Sequence, residues 1–247
     1  MKTIVIVGAR SGIAKECAKL WLKSQAVHLY LVVRSSLETE SLAVDLQIRS
    51  PSSLIEVLQA DFMDTQSIQD VTRSIAAKNA IDITLIAHGT LPDQQEAEQN
   101  LDLCKQTLDI NGVSPCLFAE AFANEMKDQA SGSIAVIGSV AGDRGRRSNY
   151  IYGAAKGLVA RYVEGMQHRF ANGPLVICLI KPGPTATPMT EHLQGAGVKM
   201  APASLVARDI IEGVAKGSRV IYTPRKWQII MLIIRHLPTF IFNKLNI

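Results

Sequence analysis

The chain has 247 residues, 47% of them hydrophobic and 19% charged, so it can bury a sizeable core and is expected to form an α/β domain, residues 1–223, with an apolar C-terminal extension, residues 224–247. A net charge of +4 with no long basic run gives nucleic-acid binding no support and points to small or locally charged partners. Cys17, Cys104, Cys116 and Cys178 are scattered without a Cys-x-x-Cys pair or a matching histidine spacing, so neither a zinc site nor a disulfide framework is indicated, and a reducing compartment fits.

Thr3 to Val7 reads as a buried strand and is too short for a secretory h-region. Gly8-Ala9-Arg10-Ser11-Gly12-Ile13-Ala14 then turns the chain into an amphipathic helix reaching about Ser24. Strand, glycine turn and helix in this order receive a dinucleotide pyrophosphate, because glycine lets the backbone approach and the helix N-terminus supplies N–H groups and positive potential. The next strand, Val27 to Val33, ends in Arg34 and Ser35 with no carboxylate at its tip. A carboxylate there holds the ribose 2′-hydroxyl of NAD, whereas an arginine pairs with the 2′-phosphate of NADP, so NADP(H) is favoured. Arg10 either assists or touches only solvent.

A helix from Glu38 to Arg49 leads to strand Leu54 to Gln59, with Asp61 and Phe62 beyond its end and Asp64 placed to cap the following helix. Strand Ile81 to Ala87 runs into His88 and Gly89. Leu101, Leu108, Val113 and Leu117 mark one long helix carrying Asn111, and Ile134 to Gly138 is a buried strand ending at Ser139. Strand Leu175 to Ile180 precedes Lys181-Pro182-Gly183-Pro184-Thr185-Ala186-Thr187, and Thr190 to Met200 reads as a mobile lid that admits substrate and excludes water. Helix Ser204 to Lys216 and strand Arg219 to Tyr222 complete a doubly wound sheet of about seven parallel strands with helices on both faces. No window reaches the roughly 18 apolar residues that span a bilayer, and a cytoplasmic location is expected.

Tyr152 and Lys156 stand four residues apart, on one face of a helix that continues to about Phe170. A nearby ammonium favours the phenolate and is expected to lower the tyrosine pKa, making the hydroxyl usable for acid/base work. With Ser139 at the end of a strand and the glycine turn at the start of the chain, this set resembles the short-chain dehydrogenase/reductase family. The resemblance implies a Rossmann-type fold and a catalytic set of Ser139, Tyr152, Lys156 and Asn111, with Asn111 holding a water linked to the lysine. It implies a cofactor site drawn from Gly8, Arg10, Ser11, Gly12, Ile13, Arg34, Asp61, Phe62, Gly89, Tyr152, Lys156, Pro182, Gly183, Thr185 and Thr187. In that site Asp61 closes the adenine pocket and the Pro-Gly-x-x-x-Thr segment lines the nicotinamide end. A homodimer or homotetramer is also implied.

The chain departs from the family pattern at Val7, where threonine is usual, at Ala14 in place of the last glycine, and at Ile86-Ala87-His88-Gly89 in place of Asn-Asn-Ala-Gly. His88 faces either the nicotinamide ribose or a structural turn. A narrower resemblance, to the decaprenylphosphoryl-2-keto-ribose reductases, is carried by Ala141 to Tyr152 and by the ending Arg235 to Ile247. It implies a keto sugar on a polyprenyl phosphate as substrate, reduced with NADPH. Arg144, Arg146 and Arg147 then either bind the phosphate diester or form a solvated or subunit-contact loop. Residues 224–247 either dip into a membrane interface or pack on protein. A reductase of a soluble or acyl-linked ketone shares the same chemistry, and a nucleotide-binding regulatory subunit without turnover shares only the glycine turn.

Overall fold

The computed structural model describes residues 1–35, 39–191 and 199–245. Its first half alternates β1 (Lys2–Val7), α1 (Gly12–Ser24), β2 (Val27–Val33), α2 (Glu40–Arg49), β3 (Leu54–Gln59), α3 (Thr65–Ala76) and β4 (Ile83–Ile86). Next come α4 (Gln94–Gln99), α5 (Leu101–Leu108), a π-helical turn at Asp109–Val113, α6 (Ser114–Met126) and β5 (Gly132–Ile137). A 3₁₀ turn at Val140–Asp143 leads to α7 (Tyr150–Arg169) and β6 (Leu175–Pro182). The chain ends with a two-residue β7 (Thr185–Ala186) and β8 (Ala201–Pro202), α8 (Ala203–Ala215), β9 (Val220–Thr223), α9 (Lys226–His236) and α10 (Thr239–Phe242). Most of the expected lid, Thr190 to Met200, and the start of the helix expected from Glu38 lie outside the described residues.

Seven strands form one parallel sheet in the order β3-β2-β1-β4-β5-β6-β9. Helices cover both faces, which is why the central strands are apolar throughout: Ile4 to Val7 and Leu29 to Val32 have no accessible surface. Phe118, Phe122, Ile68 and Val163 fill one face, and Cys17, Trp21, Leu46, Val206 and Ile210 fill the other. As the sequence led us to expect, Asp64 caps α3, its carboxylate accepting from the amides of Gln66 and Ser67. Strand order reverses between β1 and β4, opening a crevice beyond their carboxyl ends, where Gly8 and His88 follow.

Phe122 is fully buried beneath the sheet. Phe122→Ala should cost ~3–5 kcal/mol of unfolding free energy in urea titration, and a loss below about 1 kcal/mol would show that this side of the core closes around the cavity.

Candidate active site

At the crevice, three glycines allow contacts that any side chain would block. Gly8 has a φ of +79°, and a β-carbon there would lie 2.6 Å from Cβ of His88. One on Gly12 would lie 2.9 Å from Cγ2 of Thr187, so the glycine turn and the Pro-Gly segment meet at that point. One on Gly89 would lie 2.7 Å from Oδ1 of Asn111 and 3.8 Å from Nζ of Lys156. Ser11 stands at the N-terminus of α1 without a side-chain capping bond, which leaves the first-turn amides to a ligand. A glycine turn, a helix N-terminus and the basic Arg34 at the end of β2 fit the phosphates of a dinucleotide.

The expected cofactor residues occupy this crevice in different ways. Arg10 and Arg34 are exposed. Asp61 accepts from the amide of Met63 at 2.9 Å, forming a turn. Phe62 is buried in an edge-to-face cluster with His88 at 4.8 Å and Phe118 at 5.0 Å, so its ring belongs to the core and only its backbone can serve a ligand. Thr185 donates to the carbonyl of Gly183, and Thr190 in turn donates to the carbonyl of Thr185. The indole of Trp227 lies where a side chain on Gly183 would stand, bringing α9 onto the Pro-Gly segment.

His88 takes the structural role. Ser114 donates to the carbonyl of Phe62 at 2.7 Å, so its oxygen accepts from Nε2 of His88 at 3.0 Å. Nδ1 is then a buried acceptor with no protein partner. Burial first, then Lys156 and Arg34, pulls this imidazole down to about 3, and it is neutral.

The residues expected to be catalytic are brought together around the end of β5. Ser139 accepts from the amide of Ala141 at 3.1 Å and interacts with the Tyr152 hydroxyl. Lys156, only 2% exposed, donates to the carbonyl of Ile137 at 2.9 Å, and its ammonium lies 5.8 Å from the centre of the Tyr152 ring. Asn111 is fully buried in the π-helical turn, accepting from the amide of Thr90 and donating to the carbonyl of Thr107, both at 2.9 Å. The one long helix expected there is interrupted at this turn, a feature that often marks functional sites.

The electrostatics correct one expectation. Burial pushes the Tyr152 phenol up to about 12, with the Ser139 hydroxyl pulling it partly back, and Lys156 does not bring it down. The ammonium is bonded to Ile137 rather than to the phenol, and desolvation outweighs the remaining attraction.

Arg144 and Arg146 also differ from expectation, because the C-terminal helices claim them. Arg144 donates to the carbonyls of Ile234 at 2.5 Å and Leu237 at 2.6 Å, and stacks 3.7 Å over the Phe242 ring. Arg146 reaches Sδ of Met231 at 3.2 Å. Arg147 is exposed. Sequence reasoning missed a second buried group beside them: Lys181 pairs with Asp143 at 2.6 Å, and the Tyr222 hydroxyl donates to the same carboxylate at 2.8 Å. Its only signal was a lysine ending an apolar strand, since a buried charge requires a partner.

The short chain dehydrogenase family model matches residues 2–196. The chain belongs to the short-chain dehydrogenase family. Among relatives of the family, an uncharacterized oxidoreductase of Streptomyces coelicolor is 25% identical over 99% of this chain and 96% of its own length. One from Mycobacterium tuberculosis is 25% identical over 98% and 96%. A short-chain dehydrogenase from Sphingobium yanoikuyae in complex with NADPH has the same fold, with a TM-score of 0.82, 21% identity and 97% coverage of both chains. An actinorhodin polyketide ketoreductase with NADPH superposes at a TM-score of 0.79, with 17% identity over 90% of this chain and 95% of its own. Family membership makes this short-chain dehydrogenase an NAD(P)-dependent oxidoreductase.

Burial holds Lys156 down to about 8, against its usual 10.5. Between these values the unfolded chain binds a proton that the folded chain has released, so this group's contribution to stability rises with pH there. The thermal midpoint of Lys156→Met relative to wild type should therefore fall as pH rises from about 8 toward 10.5. Parallel melts across that interval test it, and a constant difference would show that Lys156 keeps its ordinary pKa.

Proposed function

We propose that the protein is an NADPH-dependent reductase of a ketone, and most specifically of a keto sugar carried on a polyprenyl phosphate. The observation that carries the reaction is the Ser139 and Tyr152 hydroxyl pair beside the buried ammonium of Lys156. The crevice would hold a nicotinamide cofactor, whose chemistry is hydride donation to a carbonyl carbon. Tyr152, protonated at neutral pH, gives its proton to the carbonyl oxygen, which Ser139 orients by hydrogen bonding. Lys156 would hold the nicotinamide ribose and, with its ammonium 5.8 Å from the centre of the Tyr152 ring, offset the charge of the phenolate left behind. A water held at Asn111 connects that lysine to solvent.

NADPH over NADH rests on Arg34 at the β2 tip, the absence of a carboxylate there, and structural relatives described with NADPH or NADP. A further relative from Burkholderia phymatum is described with NAD. Two buried polar atoms in the loop between Ser139 and Tyr152, Nε of Arg146 and Oδ1 of Asn149, have no protein partner. The commitment of Arg144 and Arg146 to the C-terminal helices favours a second reading, a soluble or acyl-linked ketone without a phosphate. A second copy of the chain is the protein partner of either reading, through apolar surface exposed at Leu158 and Tyr162 on α7.

Tyr152→Phe should still bind NADPH while losing ~10²–10⁴-fold in turnover of a ketone panel, and near-wild-type reduction would sink the mechanism. Arg34→Asp should move the ratio of kcat/KM toward NADH by removing the 2′-phosphate partner and adding an acceptor for the ribose hydroxyls. An unchanged ratio would show that Arg34 does not read the phosphate.

A further inference from the structure

The C-terminal segment presents two opposite sides. Its inner side is anchored: Met231 is fully buried, Trp227 lies on Gly183, and Arg144 ties the end of α9 to the loop that follows Ser139. Its outer side bears Ile229, Leu232, Ile233 and Phe240, which are 66%, 59%, 59% and 71% exposed. On α9 the first three fall in a stripe about 100° wide, flanked by Lys226 on one edge and Arg235 on the other. Large apolar side chains on a firmly held helix are a surface built for contact.

Charge identifies the partner. From Gly213 to the end of the chain there is no aspartate or glutamate, while Arg225, Lys226, Arg235 and Lys244 are exposed around the apolar stripe. Two copies meeting symmetrically through this face would bring like charges together, which opposes self-association there. An anionic surface meets both the stripe and its cationic rim. No helix among the described residues is long and apolar enough to cross a membrane, so a bilayer would be met from its surface.

We infer that the outer face of α9 and α10 is an interfacial anchor that docks on bilayers containing anionic lipid. The docking is independent of which ketone is reduced. The test uses the full-length protein without substrate, sedimented with vesicles of phosphatidylcholine alone or mixed equally with phosphatidylglycerol. Binding is expected to the mixed vesicles, weakened by high salt. Ile229→Ser, Leu232→Ser and Ile233→Ser together should lower that partition at least about tenfold, with reduction of a soluble ketone unchanged. Lys226→Glu with Lys244→Glu should weaken binding to the mixed vesicles. Failure of the wild type to sediment with mixed vesicles, or equal binding by the serine variant, would overturn the inference. So would a smaller assembly for the serine variant in equilibrium sedimentation, which would make the face a subunit contact. Because no ketone is present, a failed reductase assay leaves the vesicle result intact, and the reverse holds.

Discussion

The ion pair between Lys181 and Asp143, with side chains 6% and 3% exposed, fixes the relation of three separate pieces of the site. Lys181 is the penultimate residue of the strand that leads into the Pro-Gly segment, Asp143 closes the 3₁₀ turn after Ser139, and Tyr222 joins them from the sheet's edge strand. Such a pair need not stabilise the fold, since desolvation offsets most of the attraction. Losing one partner, however, leaves a buried charge and costs about 3–5 kcal/mol. The arrangement therefore penalises any relative movement of the Ser139 loop and the Pro-Gly segment.

Burial governs the acid/base pair as well. Desolvation disfavours the charged form of each group, so it raises the Tyr152 phenol to about 12 and lowers Lys156 to about 8. The two shifts have one cause, and the first leaves the Tyr152 phenol protonated at neutral pH. A protonated Tyr152 is the form required to reduce a carbonyl, while oxidation of an alcohol needs the phenolate. The Ser139 hydroxyl acts on the Tyr152 phenol in the opposite direction to burial.

The alternation of strands and helices was legible because near-continuous apolar runs and 3.6-residue periodicity survive in any context. Observed strand limits accordingly lie close to the expected ones, as at Val27–Val33 and Leu54–Gln59. The π-helical turn at Asn111 was not legible, since Asp-Ile-Asn-Gly-Val continues an acceptable helical pattern and the turn is held by bonds to Thr90 and Thr107. The arginine cluster was legible as charge but not as contact. Arg144 finds its carbonyl partners 90 and 93 residues further along the chain, and nothing in its own loop names them. Phe62 illustrates the same limit in reverse, because its place beside an aspartate concealed a ring that completes the core.

Arg144 also joins two parts of the site that differ in their freedom to change. Lys156 and Asn111 are locked inside the domain, where altering either would leave buried polar groups without partners. The surrounding wall comes instead from the loop after Ser139, the Pro-Gly segment and α9, which touch through Arg144, Arg146 and Trp227. Changes in that wall can reshape what approaches Tyr152 without altering its protonation, which is set by burial and by Ser139. The wall is latched through Arg144, Arg146 and Trp227 to a helix whose outer face is apolar and cationic.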